Sequence, residues 1–334
     1  MVFSKKFLQY KLRQNFFAKL FYMAFPDRYV NHYRQIKTMY LELSSRCNLK
    51  CTFCFQQYKP ENTCNMPVNC ALAYLGKLPA SVTNLILHFS GESFLNPDLP
   101  VILKSIAGKN IHTHLCSNGT LPGTQYIDAL NAGLNHLIFA LDGTSQESHG
   151  RHRIGSDFSK ILNTLKEVVG NKPPGVSVGV QCVVTKYNEN EIEEMKTILR
   201  GVNADFLYLK TLSLDIASSE KLNKLRYENA LSYLPVNNEY SRYKRNRKNL
   251  KLKMPIIVCP YVYEPVVCAD GEVALCCIDI ERKVKIGNIK DYNSFAELWN
   301  TKHYREIRKQ VLHKKLALCQ RCNMTMMGIS CPSL

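Results

Sequence analysis

Residues 38–54 read TMYLELSSRCNLKCTFC. The first six form a short apolar run of strand type, and Cys47, Cys51 and Cys54 follow it, separated by three and two residues. Working outward, this run is the first of six. The others lie near 84–89 (NLILHF), 111–116 (IHTHLC), 135–141 (NHLIFAL), 176–184 (VSVGVQCVV) and 206–211 (FLYLKT). Helical patterns fit between them, most clearly over 121–132, 157–169 and 190–200. Six strand–helix units in series imply an α/β fold around a parallel sheet with right-handed crossovers. Periodicity alone does not separate an open sheet from a partial barrel.

Three thiolates so close together lack a fourth ligand at any standard zinc spacing nearby. They do suit a [4Fe–4S] cube with one iron left open to a substrate or cofactor. Polar motifs also stand just past the next strands: Ser90-Gly91-Glu92, Ser117-Asn118-Gly119 and Asp142-Gly143. The carboxyl ends of parallel strands share one face, and that face binds ligands. Each motif alone is an ordinary turn; beside the cysteine loop they point to one site.

RCNLKCTFCFQ, with the aromatic Phe53 just before the third cysteine, resembles the cluster loop of the radical S-adenosylmethionine (SAM) superfamily. The resemblance covers about 38–331. It implies a partial (β/α)6 TIM-like barrel with its site at the open upper face and a small C-terminal cysteine-rich cluster domain. It also implies that Cys47, Cys51 and Cys54 hold the cluster whose open iron chelates SAM. Reductive cleavage of SAM then yields a 5′-deoxyadenosyl radical that takes a substrate hydrogen. By the same resemblance Glu92 takes the SAM amino group, and Phe53, Ser90, Gly91, Ser117, Asn118 and Asp142 line the cofactor site. Arg153, eleven residues past Asp142, pairs the SAM carboxylate, with Arg151 as near competitor. Ser90 and Ser93 depart from the commoner Gly-Gly-Glu-Pro form, and Ala140 stands where the family often has a serine.

The second cysteine group is Cys259, Cys268, Cys276, Cys277, Cys319, Cys322 and Cys331. With Gly271, the Gly287-Asn288-Ile289 turn, Trp299 and the Cys319-x-x-Cys322 pair, its layout resembles the SPASM/twitch extension of these enzymes. That resemblance implies one auxiliary [4Fe–4S] cluster on Cys259, Cys276, Cys319 and Cys322, with Cys268, Cys277 and Cys331 as rivals; a structural zinc on four cysteines is the alternative. Asp270-Gly271 marks a hairpin turn, and one helix fits 294–312. Cys64, Cys70, Cys116 and Cys182 read as core packing. A sharper reading makes Cys182 or Cys116, both on strands, an interior-facing hydrogen donor. His88, His112, His114 and His136 read as satisfied core or pocket side chains.

The chain has 334 residues and is 46% hydrophobic and 21% charged, which excludes wholesale disorder. Fourteen cysteines without an export signal fit a reducing, cytoplasmic setting and metal ligation better than a disulfide framework. The net charge of +17 is concentrated in 1–38 and in RYKRNRKNLKLK at 242–253. No nucleic-acid module accompanies either patch, so nucleic acid is not the expected partner. The expected division is a basic amphipathic helical extension (1–37), a barrel (38–215), a basic connection (216–258) and the cluster domain (259–334). Residues 1–24 read as a helix packed on the barrel or in peripheral membrane contact. The expected substrate is a peptide or protein; a small molecule such as an amino sugar or alcohol is the alternative, and a non-catalytic metal scaffold the remote one. The expected reductant is a flavodoxin or ferredoxin.

Overall fold

The computed structural model describes residues 35–54, 63–214, 227–246, 249–256 and 258–325, with Leu20, Ala24 and Phe25. The expected helix over 1–24 and Cys331 lie outside the described residues. Strands β1 (Thr38–Leu41), β2 (Asn84–Ile86), β3 (His112–Ser117), β4 (His136–Ala140), β5 (Ser177–Val184) and β6 (Leu207–Thr211) pair in parallel, each with the next in sequence. Helices Val68–Gly76, Leu99–Ile106, Gly123–Asn131, Phe158–Gly170 and Ile192–Gly201 make the crossovers. This is the α/β partial barrel, because β6 ends the sheet at one edge and does not pair back to the other.

Strand parity decides what the barrel encloses. Leu85, Leu115, Leu137, Phe139, Val178, Val180 and Leu207 alternate out of the strands into the helix layer and are fully buried. They meet helix side chains at spacings of three and four: Ile102, Leu103 and Ile106; Ile161, Leu165 and Val168; Met195 and Leu199. Each such side chain contributes about 1.5–3 kcal/mol on leaving water. The opposite parity faces the interior and is largely polar: Tyr40, Glu42, His88, His114, Cys116, Gln181, Tyr208 and Lys210. Gly179 belongs to this face too, where a Cβ would come within 2.5 Å of the Phe206 carbonyl.

Three features depart from the expectations. The segment expected only as a basic connection contains a hairpin, β7 (Tyr243–Asn246) antiparallel to β8 (Asn249–Leu252), and a helical stretch over 227–232. The basic run hid its alternation, because Lys and Arg stems serve as strand residues as readily as solvent-facing ones. The cluster segment does not sit merely beside the barrel. Its strand β9 (Val266–Val267) pairs in parallel with β1 and in antiparallel with β10 (Val273–Ala274), giving the sheet order β10-β9-β1-β2-β3-β4-β5-β6. The β9–β10 turn is the expected one, with Gly271 at φ +86°, where side-chain-bearing residues are strained. The expected helix over 294–312 is broken into Phe295–Trp299 and Lys302–Leu312, because Thr301 leaves the helical region and caps the second piece, its Oγ1 accepting from Tyr304 N–H at 3.2 Å.

Candidate active site

The loop after β1 is held from both sides. Its Lys50 and Thr52 N–H groups donate to the carbonyls of Ile154 and His152. Glu92 N–H donates to Arg46 O at 2.7 Å. Gly91 lies so close that a Cβ there would meet Ser44 O at 2.3 Å and Arg46 O at 2.5 Å. Only glycine lets the second polar motif press against the cysteine loop. Cys51 is buried, and Cys47 and Cys54 are partly exposed. The Cys51 thiol is pushed up to about 12, chiefly by burial, with Arg153 opposing and the neighbouring Cys54, Asp142 and Cys47 adding to the rise. Electrostatically the three thiols thus act on one another. Asn118 adds a weak donor, Nδ2 to Cys47 Sγ at 3.9 Å.

Behind the loop the expected residues converge. Glu92, 2% exposed, accepts from Asn118 N–H at 2.7 Å through Oε2 and from Phe94 N–H at 3.2 Å through Oε1. Burial raises its pKa, against those two bonds. Asn118 Nδ2 donates to Asn48 Oδ1 at 2.8 Å. Ser117 Oγ shares a 3.1 Å bond with Tyr126 OH and turns into the helix layer. Ser90 bonds Glu42 on the β1 side. Asp142 accepts from Arg153 Nε at 2.7 Å and from Val183 N–H at 2.7 Å. Burial pushes the Asp142 carboxyl up, but Arg153 and its other partners outweigh it and the net direction is down. Of the two candidate arginines, Arg153 reaches this buried pair, while Arg151 is surface-exposed on Glu147.

Phe53 stacks on His152 with ring centroids 3.5 Å apart and meets Tyr233 edge-on. His152 also bonds Thr52 Oγ1 through Nδ1 at 3.0 Å, and burial lowers its pKa to about 3. His149 accepts from Asp142 N–H at 3.1 Å, leaving Nε2 buried without a partner. Sequence reasoning missed both histidines, which lie in an ordinary-looking helical turn past Asp142.

The two strand cysteines separate. Cys116 faces the interior, held by Gln181 Nε2 at 2.8 Å from Sγ. Cys182, expected there as well, is a correction: it shares the parity of Val180 and Val184, is fully buried in the helix-side core, and takes a 3.6 Å contact from Asn188. His88 accepts from Cys116 N–H at 3.0 Å. His112, His114 and His136 form a ring-to-ring row toward Phe206.

Cys259, Cys276, Cys319 and Cys322 all line a single cavity of about 60 Å³, walled by apolar side chains such as Val262, Leu275 and Ile278. Cys268 packs elsewhere, against Val266, Ala274 and Tyr40. Cys277 is not among the cavity's lining residues. Among the described residues, no three His, Cys, Asp or Glu side chains close around one point tightly enough for a single metal ion. The fit to a cluster rests on the donor set: four thiols lining one apolar cavity, and three thiols on one short loop, with Arg153 of the Arg153–Asp142 pair acting on Cys51. Arg308 is fully buried nearby, stacked on Trp299 with its guanidinium carbon 3.8 Å from the ring centroid and Nη1 2.7 Å from Trp299 O. No helix among the described residues is long and apolar enough to cross a membrane.

Residues 41–199 match the model of the radical SAM superfamily, and residues 259–323 match the SPASM iron–sulfur cluster-binding domain. The chain is 27% identical over 317 residues to the tungsten-containing aldehyde ferredoxin oxidoreductase cofactor-modifying protein of Pyrococcus furiosus, covering 85% of this chain and 87% of that one. It is 28% identical over 173 residues to the antilisterial bacteriocin subtilosin biosynthesis protein AlbA of Bacillus subtilis, spanning 49% of this chain and 36% of that one. Three solved structures share the fold. Streptococcus suis SuiB bound to precursor peptide SuiA has a TM-score of 0.60 at 15% identity, over 87% of this chain and 71% of that one. Native anSMEcpe with bound SAM and a Cp18Cys peptide has 0.58 at 18% identity, over 85% of each chain. BtrN in complex with SAM and 2-DOIA has 0.53 at 16% identity, over 87% of this chain and 94% of that one. The chain is thus an enzyme of the radical SAM superfamily with a C-terminal SPASM domain, using SAM, a [4Fe–4S] cluster and auxiliary iron–sulfur ligation.

Proposed function

We propose that this enzyme takes a hydrogen atom from a peptide or protein substrate and leaves it crosslinked, oxidised or epimerised. The observation that carries the reading is the polar interior face of the barrel. His88, Cys116, Gln181 and Lys210 stand on that face, with the Arg153–Asp142 pair past the strand ends. SuiB and anSMEcpe, which share the fold, carry bound peptides, and AlbA serves bacteriocin biosynthesis.

In this reading Cys47, Cys51 and Cys54 hold the first cluster, and Cys259, Cys276, Cys319 and Cys322 the auxiliary one. When bound and reduced, the first cluster supplies the electron that splits SAM into methionine and a 5′-deoxyadenosyl radical, which becomes 5′-deoxyadenosine on taking the substrate hydrogen. Glu92 keeps lone pairs for the SAM ammonium beyond those its two main-chain donors use. Arg153 is fixed by Asp142 through Nε, which leaves its terminal N–H groups to face a carboxylate. Phe53 and His152, stacked, close the site against water on the side of Tyr233. Cys116 is the interior thiol placed to give a hydrogen atom to a substrate radical. Cys259, Cys276, Cys319 and Cys322 would hold an auxiliary cluster able to supply or take up an electron.

The test is anaerobic: reconstitute, reduce, add SAM and follow 5′-deoxyadenosine, then add a peptide encoded by a neighbouring gene and follow its mass and stereochemistry. Deoxyadenosine without any peptide change counts against the peptide; its absence counts against the whole reading. The Pyrococcus furiosus relative, which is similar over most of both chains and modifies a cofactor by its description, favours a second reading in which a small molecule is the substrate.

A further inference from the structure

Lys210 lies on the interior face of β6, beside Val183 of β5. Among the described residues its ammonium has neither an ion pair nor a hydrogen bond. Titratable groups near it include Cys116, Arg153 and Asp142, and it acts in turn on His88. Only Asp142 among these is an anion at neutral pH, and that charge is already committed to Arg153 at 2.7 Å. Burial pushes the Cys116 thiol up to about 11, so it is neutral. The positive charge of Lys210 thus stands on the interior face without a paired anion among the described residues. Next to it, Gln181 spends its amide N–H on Cys116 and leaves Oε1 buried without a partner.

An unbalanced ammonium inside a protein is costly and is tolerated where a ligand completes it. We propose that Lys210 is the anion-recognising residue of the interior face and that the substrate carries a carboxylate that docks on it. A monoanion matches the single charge; a phosphate dianion calls for further free cations, and Arg153 is committed. The orphan Gln181 oxygen offers an acceptor for an N–H on the same substrate. In a peptide the carboxylate is an Asp or Glu side chain or the C-terminus, and in a small molecule it is a free acid. The proposal rests on the enzymatic reading above and deepens it.

The test uses reconstituted, SAM-bound full-length enzyme without reductant, so that nothing turns over. Equilibrium dialysis against four peptide pools reads the carboxylate: blocked pentapeptides with Asp and Glu, the same with Asn and Gln, neutral pentapeptides with a free C-terminus, and the same amidated. Glutarate is the small-molecule arm. Retention of an acid-bearing probe about tenfold over its amide partner is expected, the worth of one partly enclosed charged contact. Lys210→Met is expected to abolish the preference with unchanged iron content and thermal midpoint, and Lys210→Arg to keep most of it. Preference for a pentapeptide pool places the carboxylate on a peptide; preference for glutarate alone places it on a small acid. The proposal falls if wild type shows no preference, if Lys210→Met keeps it, or if Lys210→Met instead weakens SAM binding about tenfold, which would seat Lys210 on SAM's own carboxylate. Failure of the enzymatic reading shows separately, as no 5′-deoxyadenosine from reduced wild type.

Discussion

Arg153 donates its Nε–H to Asp142 at 2.7 Å, and the two side chains are 11% and 2% exposed. Removing one partner of such a pair leaves an uncompensated buried charge, a cost of about 3–5 kcal/mol. Arg153→Met is expected to lower unfolding stability by about that amount, read by denaturant titration of the apo chain, and to weaken SAM binding.

The same pair sets a pH dependence. Asp142 has a lowered pKa in the fold, so its contribution is complete above the unfolded aspartate value, near about 3.9, and fades as pH falls through the folded value. Wild-type stability is expected to drop through the acid range below about pH 4 more steeply than that of Asp142→Asn, which starts lower but lacks this term. Equal slopes in urea titrations at stepped pH would contradict it.

Gly91 is expected to tolerate no side chain. A methyl group within 2.3–2.7 Å of three backbone atoms of Ser44, Ser45 and Arg46 must push the cysteine loop off Glu92. Gly91→Ala should cost about 1–3 kcal/mol and lower the iron retained after reconstitution. Normal iron content in that variant would show that the loop can move aside.

The two cysteine groups should come apart by function. Cys51→Ala is expected to abolish 5′-deoxyadenosine formation. Cys319→Ala should spare uncoupled SAM cleavage, lose one cluster's share of iron, and impair substrate conversion. Among the strand cysteines, Cys116→Ala should change product and Cys182→Ala only stability, as mass spectrometry of the product and thermal melts would read.

Arg308 is fully buried with Nε and Nη2 unpartnered, and burial lowers its pKa to about 10. Arg308→Met keeps the volume over Trp299 without the charge, and should match or exceed wild-type stability in thermal unfolding, whereas Arg308→Ala opens a cavity and loses about 2–4 kcal/mol.

The six-strand alternation and the cysteine loop were readable because each rests on local pattern: apolar runs of the right length, and thiols at short fixed spacing. Glu92, Asn118 and Asp142 could be grouped because parallel strands end on one face. What the sequence hid is nonlocal or a matter of parity. Cys116 and Cys182 look alike on their strands, yet one residue of phase sends them to opposite faces. β9 is two residues long and is defined by its partner β1, not by its own composition. Lys210 is an unremarkable lysine until β5 and β3 surround it with groups that cannot neutralise it.

The ladder between β9 and β1 has a mechanical consequence. β1 leads into the Cys47 loop, while Cys259 and Cys276 bracket the β9–β10 turn paired to it. The spacing between the two thiol sets is thus gauged by rungs of one sheet, like marks on a stiff ruler.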